Sequence, residues 1–485
     1  MMVPLIACQL FCAVTHASEW NIDVSYSSEI ETLFSGPSVT STYPPHNCLA
    51  VGPNHVVMVE GSRIEWTDLA GGSPTVQSTY NFFASLSPTG GLYDQRCAYD
   101  NINGRYLAIM QYAASGSAIS KIDVAVSKDS NPDHGWYFGS LNTSLSVNGQ
   151  LTASDRPMLS VAGTNIYVTA PQFHVNGWGF VGTECWVIGD TAGPDGGIYN
   201  GGTLTVTTNE LTPSDKGIFT VATGNDRKTY YASSYSTGGQ ILLAIKTNDQ
   251  ATNAFGPVST LRLGNIDQGG VYTVQQKGTP LLLDAGDNRI ANVVFANGFL
   301  WGVAEMKPIG SSVPLVHWFK VDLSNSNAPV LVAQGNISGT AIGVEVGTFN
   351  SSIAVDAAGD VLINFTASGP NNYPSDYYVF QGAADPPGSF SAPILYQAST
   401  GFFDSGDGAS VQRWGLNSST IADPNHGNSF WLSNEYIEQG WWRTSVARVA
   451  VRNRSDLDAG SFRLLVPHLL RITAQGAVHL ASGRM

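Results

Sequence analysis

Short apolar runs alternate with tight polar turns along this chain, in a pattern that recurs seven times. In the first copy the apolar run Cys48–Val51 is followed by a turn at 52–54 and by a second apolar run, Val56 to Glu60. Brief apolar runs bounded by Gly, Asn, Asp and Pro predict β-strands joined by hairpin turns. The other six copies begin at Cys97, Met158, Phe219, Val293, Ile353 and Thr420. The pattern therefore predicts seven equivalent β-units.

The spacing of the copies predicts how the units assemble. They lie roughly 50 to 70 residues apart, the length of one four-stranded propeller blade with its loops. In the first unit we expect strands at 49–51, 56–60, 63–68 and 75–79. We therefore predict an all-β fold, a seven-bladed β-propeller of four-stranded antiparallel blades, over residues 18–452.

The last unit must be completed for the ring to close. Its third strand is expected at Ser445–Val451, and the fourth comes either from the N-terminal stretch Trp20–Tyr26 or from the tail segment Phe462–Val466. Joining the two ends of the chain in one blade removes an open sheet edge that invites aggregation. We favour the N-terminal strand.

Composition supports one acidic β-ring. Charged residues make up only 12% of the 485 residues and 52 are glycine, as expected for many short hairpins rather than long surface helices. The formal net charge of −14 excludes a nucleic-acid partner, because phosphate binding depends on clustered Lys and Arg. Beyond the N-terminal apolar run, no segment is long enough to span a bilayer. We expect a monomer.

The two ends of the chain predict a secreted or cell-surface protein. Residues 1–17 contain an apolar run followed by Thr15-His16-Ala17, small residues at the positions that a signal peptidase reads. The alternative is a lipoprotein signal that would leave Cys8 as a lipid-modified N-terminus. Residues 453–485 lack Trp and Tyr and form a C-terminal tail, which we interpret as an appendage or a processing segment.

Three cysteines remain once such a signal is removed, and they predict no disulfide framework or metal site. Cys48 and Cys97 occupy equivalent inner strands of the first two units, so a disulfide between them is one alternative, and three small buried hydrophobic residues are the other. We interpret the Asp and Asn residues at 100–104 and 356–360 as residues that stabilise hairpin turns rather than as calcium ligands. No cofactor is expected; calcium at 404–408 is the alternative.

Three short segments resemble a set of secreted bacterial seven-bladed β-propeller proteins, loosely sialidase-like. They are Val124–Asp129 with Pro132 and Trp136, then Asp155-Arg156-Pro157, and finally Arg413-Trp414-Gly415 with Asp423-Pro424, Phe430-Trp431 and Glu435-Tyr436. The resemblance implies the propeller fold and export, but no settled activity. This chain has Leu416-Asn417 where that group carries an Asp-Tyr pair, so no role of that pair carries over.

Four arginines precede inner strands of four different units and should meet at one mouth of the pore. They are Arg96, Arg156, Arg289 and Arg413. A guanidinium group binds a carboxylate through two parallel hydrogen bonds, and aromatic side chains beside it would suit a sugar ring. The expected aromatic set is Tyr112, Tyr235, Trp414 and Trp441. The alternative is that the arginines pair with loop acids, as in Asp155-Arg156 and Asp287 with Arg289.

These residues predict a propeller that binds carbohydrate, chiefly acidic polysaccharide or glycoprotein glycan, at the pore mouth. A glycan-active enzyme using the same face is the alternative, and a protein-interaction scaffold is the second alternative. A hydrolase would use two of Glu60, Glu305 and Glu435 as acid and as base or nucleophile. A polysaccharide lyase would neutralise a uronate with arginine while His174 or a tyrosine removes a proton.

Overall fold

The computed structural model describes residues 26–38, 44–113, 119–163, 165–189, 197–224, 226–264, 266, 270–415 and 417–453. The predicted signal peptide at 1–17 lies outside these residues, as does the C-terminal tail beyond 453. In the described part no helix is long and apolar enough to cross a membrane.

Strands account for most of the described chain. The first eleven are β1 Tyr26–Ser35, β2 Cys48–Val51, β3 His55–Glu60, β4 Arg63–Asp68, β5 Thr75–Ser78, β6 Gly91–Asp100, β7 Arg105–Ala113, β8 Ser120–Ser127, β9 Trp136–Asn142, β10 Leu145–Val147 and β11 Gln150–Ser154. The next eleven are β12 Met158–Ala162, β13 Asn165–His174, β14 Phe180–Gly189, β15 Thr205–Pro213, β16 Thr220–Thr223, β17 Lys228–Thr237, β18 Gln240–Asp249, β19 Ser259–Leu263, β20 Thr273–Gln275, β21 Leu282–Asp284 and β22 Ile290–Ala296. The last eleven are β23 Phe299–Met306, β24 Leu315–Asp322, β25 Val330–Ile337, β26 Gly347–Val355, β27 Val361–Gly369, β28 Asn372–Gln381, β29 Ile394–Gln397, β30 Val411–Gln412, β31 Ser419–Ala422, β32 Ser429–Glu438 and β33 Trp441–Asn453. The helical segments are one turn each: α1 Thr79–Phe82 and the 3₁₀ turns Ala84–Leu86, Pro132–His134, Gly197–Asn200 and Ser214–Lys216.

In the described residues these strands form seven antiparallel blades. Blade one is β2–β5, blade two β6–β9, blade three β12–β15, blade four β16–β19, blade five β22–β25, blade six β26–β29, and blade seven β31–β33 with β1. The inner strands contact one another in the order β2, β6, β12, β16, β22, β26, β31 and back to β2. The predicted seven-bladed propeller is therefore confirmed, and the strands predicted in the first blade match to within one residue at each end.

The N-terminal strand closes the ring, as predicted, but it lies later in the chain than expected. Strand β1 pairs antiparallel with β33 from Tyr26 opposite Asn453 to Ser35 opposite Ser445. The predicted span Trp20–Tyr26 overlaps β1 only at Tyr26, and its other residues lie outside the described part of the chain. As the outermost strand of its blade, β1 has a polar sequence without the buried alternation that marks other strands. Arg452 donates to Glu31 of β1 at 2.8 Å, which fixes the register from the solvent side.

Apolar faces of neighbouring blades pack together and form the core. Between blades two and three, Ile109 and Val124 pack with Ile166 and Val168, and none of these four side chains is measurably exposed. Burying one such side chain stabilises a fold by roughly 1.5–3 kcal/mol. The alternation along each strand therefore supplies two faces, one for each neighbouring blade.

The acidic hairpin turns hold backbone groups. The Asp356 carboxylate accepts from the N–H groups of Gly359 and Asp360, both at 2.9 Å. Asp404 and Asp407 accept in the same way from Gly406 and Ala409, each at 2.8 Å. Among the described residues, no three His, Cys, Asp or Glu side chains are grouped to hold a metal ion.

The cysteines of the described part are free thiols. Cys48 and Cys185 are buried, and Cys97 is half-buried. The alternative of a Cys48–Cys97 disulfide is therefore not realised, although the two residues share one core cluster. The thiol of Cys48 donates to the carbonyl of Val59 at 3.4 Å, a contact typical of a small buried side chain.

A small extra sheet covers the loop edge of blades five to seven. Strand β20 pairs antiparallel with β21, and β21 pairs parallel with β30, which precedes Arg413. Val274, Leu283, Phe403 and Trp414 form its apolar core. This cap sheet positions the segments that carry Asp287, Arg289 and Arg413 into the ring.

Three carboxyl groups are buried where blade seven meets its neighbours. Burial raises the pKa of Glu60 and of Asp376 well above the usual values, and it raises the pKa of Glu435 to about 8. The hydroxyl of Ser445 donates to Asp376 at 2.7 Å, and the N–H of Gly415 donates to Glu435. Burial therefore favours the protonated form of all three side chains, and at a pKa of about 8 Glu435 is mostly protonated at neutral pH.

We predict that the protein loses stability as the pH rises from about 5 to about 8. In this window Glu435 binds a proton in the folded state but not in the unfolded state, so its contribution lowers the free energy of unfolding by about 1.4 kcal/mol per pH unit. The stabilising contribution is complete below the unfolded pKa and is lost through the folded pKa. Urea unfolding between pH 5 and pH 9 measures this slope. Glu435→Gln should flatten it, and Glu29→Gln, an exposed carboxyl in β1, should leave it unchanged; an unchanged slope in Glu435→Gln would contradict the prediction.

Candidate functional site

A polar pocket opens where the loops enter the inner strands. Its lining side chains include His46, Asp94, Arg96, Arg156, Met158, Asp287, Arg289, Glu305 and Asn417. An adjoining pocket shares His46, Asp94 and Arg156 and adds Tyr93, Asp155 and Arg413. The two pockets form one funnel at the pore mouth, which we call the mouth pocket. Four predicted arginines and Glu305 therefore reach the same site from blades that are distant in sequence.

The local backbone presents these side chains in an unusual way. His46 and Asp94 both have φ 50°, and Arg156 has φ 41°. Left-handed backbone is costly for residues with a Cβ atom and is found where the surrounding structure enforces it, often at functional sites. A register shift in β6 between Tyr93 and Arg96 places Asp94 in a bulge. Three such residues in one pocket mark it as a built site.

Arg289 and Arg96 are held in place by protein groups. The Arg289 guanidinium binds Asp287 with Nε at 2.7 Å and 2.8 Å from the two carboxylate oxygens and Nη2 at 2.6 Å from Oδ2. Arg96 donates to the carbonyl of Gln95 at 2.8 Å and to Asn417 at 2.6 Å. Arg289 therefore pairs with a loop acid, Asp287, as the alternative interpretation of the sequence predicted. The oxygen atoms that accept from Arg96 belong to neutral groups, so no salt bridge neutralises its charge.

Arg156 and Arg413 differ from the other two arginines. Arg156 is half-buried and Arg413 is exposed. Within the described ranges, neither guanidinium makes a hydrogen bond or a direct ion pair with another residue. Both face the same imidazole, that of His46, whose proton affinity they lower. These two guanidinium groups therefore have no direct salt bridge, although Asp94, Asp155 and Asp287 lie near enough to Arg156 to act on its charge.

His46 is a neutral imidazole in this environment. Burial lowers its pKa to about 3, with the positive charges of Arg156, Arg96 and Arg413 acting in the same direction. Its Nε2 lies 3.5 Å from Oδ1 of Asp94. Its Nδ1 is buried and has no partner among the described residues. The ring is therefore uncharged at neutral pH and is a weak base.

Two carboxyl groups of the pocket have raised pKa values. Burial and the neighbouring carboxylate of Asp94 raise the pKa of Asp155 to about 6. Burial raises the pKa of Glu305 to about 7, although the N–H and hydroxyl of Ser351 donate to it at 2.9 Å and 2.8 Å. Carboxyl groups tuned to this range serve as general acids.

Other predicted residues lie away from this pocket. Glu60 and Glu435 are buried between blades, and His174 lies at the end of β13. Trp414 is buried against Phe403, and Tyr112 is buried beneath Lys121. Tyr235 lies beneath Lys216, and Trp441 is 56% exposed at the start of β33. The aromatic set is therefore not gathered around the mouth pocket, where Tyr93 and Phe219 are lining aromatic residues.

The sequence prediction did not single out Asp94, Tyr93 or Asn417. A signal for Asp94 is present in the chain, since an aspartate stands one or two residues before three of the arginines, at Asp94, Asp155 and Asp287. Asn417 carries no such signal. It reaches Arg96 across 321 residues of sequence, and only ring closure brings them together.

No protein-family model matches the chain, and no curated protein matches it significantly. Among solved structures, it resembles an α-L-arabinofuranosidase from Fusarium graminearum at 11% identity and a TM-score of 0.42, covering 74% of this chain and 93% of that one. It resembles a protein of unknown function from Dyadobacter fermentans at 9% identity and a TM-score of 0.41, covering 76% and 96%. A Trypanosoma rangeli sialidase aligns at 10% identity and a TM-score of 0.38, covering 81% and 57%. At such values no residue role carries over, and the fold rests on the strand pairing above.

We predict that the left-handed backbone at Arg156 makes glycine more stable there than alanine. Both substitutions remove the guanidinium, but only glycine relieves the clash of a Cβ atom, so Arg156→Gly should be more stable than Arg156→Ala by about 1 kcal/mol. The same pair at Arg289, where φ is not positive, should show the opposite order, since glycine is then the more flexible residue. Chemical unfolding of the four variants tests this. Equal differences at both positions would show that Arg156 is not strained.

Proposed function

We propose that this protein is a secreted enzyme that hydrolyses acidic glycans in the mouth pocket. The observation that carries the proposal is that two kinds of group meet in one funnel. Two guanidinium groups without a direct salt bridge, those of Arg156 and Arg413, lie there with three carboxyl groups, those of Asp94, Asp155 and Glu305. A protein that only binds an acidic glycan needs the positive charge of the arginines, but it does not need carboxyl groups with raised pKa values in the same pocket. The enzyme is therefore favoured over the simple binding protein.

In this proposal the guanidinium groups recognise the carboxylate of an acidic sugar. A guanidinium–carboxylate pair forms two charge-assisted hydrogen bonds, which are stronger in a partly desolvated pocket than in water. Arg156 and Arg413 supply the free groups, and Arg96 adds its charge. Arg289 is occupied by Asp287 and shapes the pocket wall.

The carboxyl groups supply the proton transfers of hydrolysis. Glu305 holds a proton at neutral pH and donates it to the glycosidic oxygen as the bond to the anomeric carbon breaks. The Asp94–Asp155 pair carries negative charge on the other side, where it activates the water that adds to that carbon or attacks the carbon itself. The products are two sugars, one with a new reducing end.

His46 supports a second candidate reaction, β-elimination on a uronate. The guanidinium groups neutralise the uronate carboxylate and so acidify the carbon next to it, and the neutral imidazole of His46, whose Nδ1 is unpartnered among the described residues, takes the proton. Its lowered pKa makes it a weak base, so elimination ranks below hydrolysis. The electron pair then forms a C=C bond as the glycosidic oxygen leaves. No water is consumed, and the product is an unsaturated sugar that absorbs ultraviolet light.

Removing the guanidinium of Arg156 should weaken the action on acidic glycans. Loss of a charge-assisted contact to the substrate is expected to lower kcat/KM by about 10- to 100-fold. Polygalacturonate, alginate, hyaluronate and polysialate are incubated with native protein and Arg156→Ala, and reducing ends and ultraviolet absorbance are followed. Arg262→Ala, an exposed arginine on outer strand β19, is the matched control and should keep full activity.

The two readouts distinguish the candidates. New reducing ends without absorbance support hydrolysis, and both signals together support elimination. Equal rates for native protein and Arg156→Ala would rule out recognition by this arginine. If neither the acidic polymers nor an arabinan gives a product, the proposal that this protein is an enzyme is wrong.

The rate should fall as the pH rises through about 7. Glu305 must hold its proton to act as the acid, and its pKa of about 7 places the loss of activity there. The pH profile of kcat/KM between pH 5 and pH 9 measures this limb. Glu305→Gln should lower the rate at every pH and remove the limb, whereas Glu65→Gln, a half-buried carboxyl of β4 outside the funnel, should retain it. A limb that survives in Glu305→Gln would assign the acid to another group.

A further inference from the structure

The hairpin of blade three carries an aromatic cluster that belongs to no interblade core. The ring of Phe173 lies 5.5 Å from Phe180 and 6.5 Å from Trp178, with interplanar angles of 45° and 52°. Trp178 is 68% exposed, and the loop around it is exposed as well. We call these three residues the hairpin platform. An exposed cluster of this kind does not contribute to the packing that holds the ring together.

The hairpin platform is joined to the segment that presents Arg156. Strand β11 pairs with the end of β13, with Ala153 opposite Phe173 and Ser154 opposite Gln172. Arg156 follows Ala153 by three residues, which is about 10 Å of extended chain. The backbone N–H of Asp155 also donates to the carbonyl of Pro171 at 3.1 Å. The platform and Arg156 therefore share one rigid support.

A second connection ties the same hairpin to the opposite wall of the mouth pocket. The hydroxyl of Thr183 in β14 accepts from the N–H of Phe219 at 3.2 Å and donates to the carbonyl of Gly217 at 3.1 Å. Phe219 lines the mouth pocket. Alternation along β13 puts Phe173 on the face of Tyr167, which packs toward blade four, the blade of Phe219. The platform thus lies beside the pocket on its blade-four side.

The backbone holds the Trp178 ring outward. Trp178 has φ 54° and follows Gly177 at φ 90°. Its N–H donates to the carbonyl of His174 at 3.1 Å, and the N–H of His174 donates to the carbonyl of Gly179 at 2.9 Å. A closed turn with left-handed backbone at a tryptophan is costly, and it keeps a large apolar face in water.

We propose that the hairpin platform is a sugar-binding subsite, which stacks rings of a polymeric glycan next to the acidic residue held in the mouth pocket. This inference rests on the proposed function and adds the substrate class, a polymer rather than a free acidic monosaccharide. Aromatic rings stack on the C–H faces of pyranoses, and a fixed ring loses little entropy when it binds. The strand pairing and hydrogen bonds that join the platform to the segments of Arg156 and Phe219 argue for the glycan chain as the occupant.

The test separates binding from catalysis. Migration of Glu305→Gln in native gels containing polygalacturonate, alginate, hyaluronate or polysialate reports polymer binding in protein with the acid removed. When Trp178→Ala is added, about ten times more polymer should be needed for the same retardation. Trp178→Tyr should restore most of the retardation. Tyr80→Ala, which removes an aromatic ring 45% exposed outside the hairpin, should not change it.

Kinetics give the second readout. In the native background, Trp178→Ala should raise KM for the polymer about tenfold while leaving KM for a small aryl glycoside of the same acidic sugar unchanged. Equal retardation of the protein with and without Trp178 would contradict the proposed sugar-binding role of the hairpin platform, even if hydrolysis is established. Absence of retardation by every acidic polymer would also overturn it, whether or not small glycosides are cleaved. Self-association that disappears in Trp178→Ala would instead assign the platform to a second copy of the chain.

Discussion

The pairing of β1 with β33 is the constraint on which the rest of the molecule depends. Blade seven has three strands of its own and receives its fourth from the start of the described chain. The pairing completes blade seven, whose inner strand β31 contacts β2, so that the inner strands form a closed ring. Closure brings Asn417 of the last blade to Arg96 of the second, and Asn425 to the carbonyl of Gly52. The mouth pocket joins blades that ring closure brings together where the two ends of the described chain pair.

Charge in the mouth pocket is arranged so that it is only partly cancelled. Asp287 neutralises Arg289 through a bidentate contact, and the cap sheet fixes the loop on which both residues stand. Arg156 and Arg413 receive no such partner within the described chain, and their charge keeps His46 neutral. On the other side, burial keeps Asp155 and Glu305 protonated to higher pH than usual. An uneven balance of this kind costs stability and is typical of sites that bind or transform a ligand.

The periodic part of the fold could be predicted from the sequence, and the site only in part. Inner strands and turns recur with the same local chemistry, so the seven blades and the meeting of Arg96, Arg156 and Arg289 follow from the repeat. The position of β1 could not be predicted, because an outermost strand carries a polar sequence that resembles a loop. Trp414 was expected at the mouth from its place in a loop, but the cap sheet covers it, and nothing local in the sequence predicts that β21 pairs with β30. Asp94 lies in a bulge, a feature that strand alternation does not reveal.

The most direct test of the central claim is a crystal structure of the Glu305→Gln variant with an acidic oligosaccharide bound. The account predicts that the sugar carboxylate lies within hydrogen-bonding distance of Arg156 and Arg413, with the glycosidic oxygen facing residue 305. A sugar bound elsewhere, or guanidinium groups of Arg156 and Arg413 turned onto Asp94 and Asp155 with the funnel closed, would contradict it.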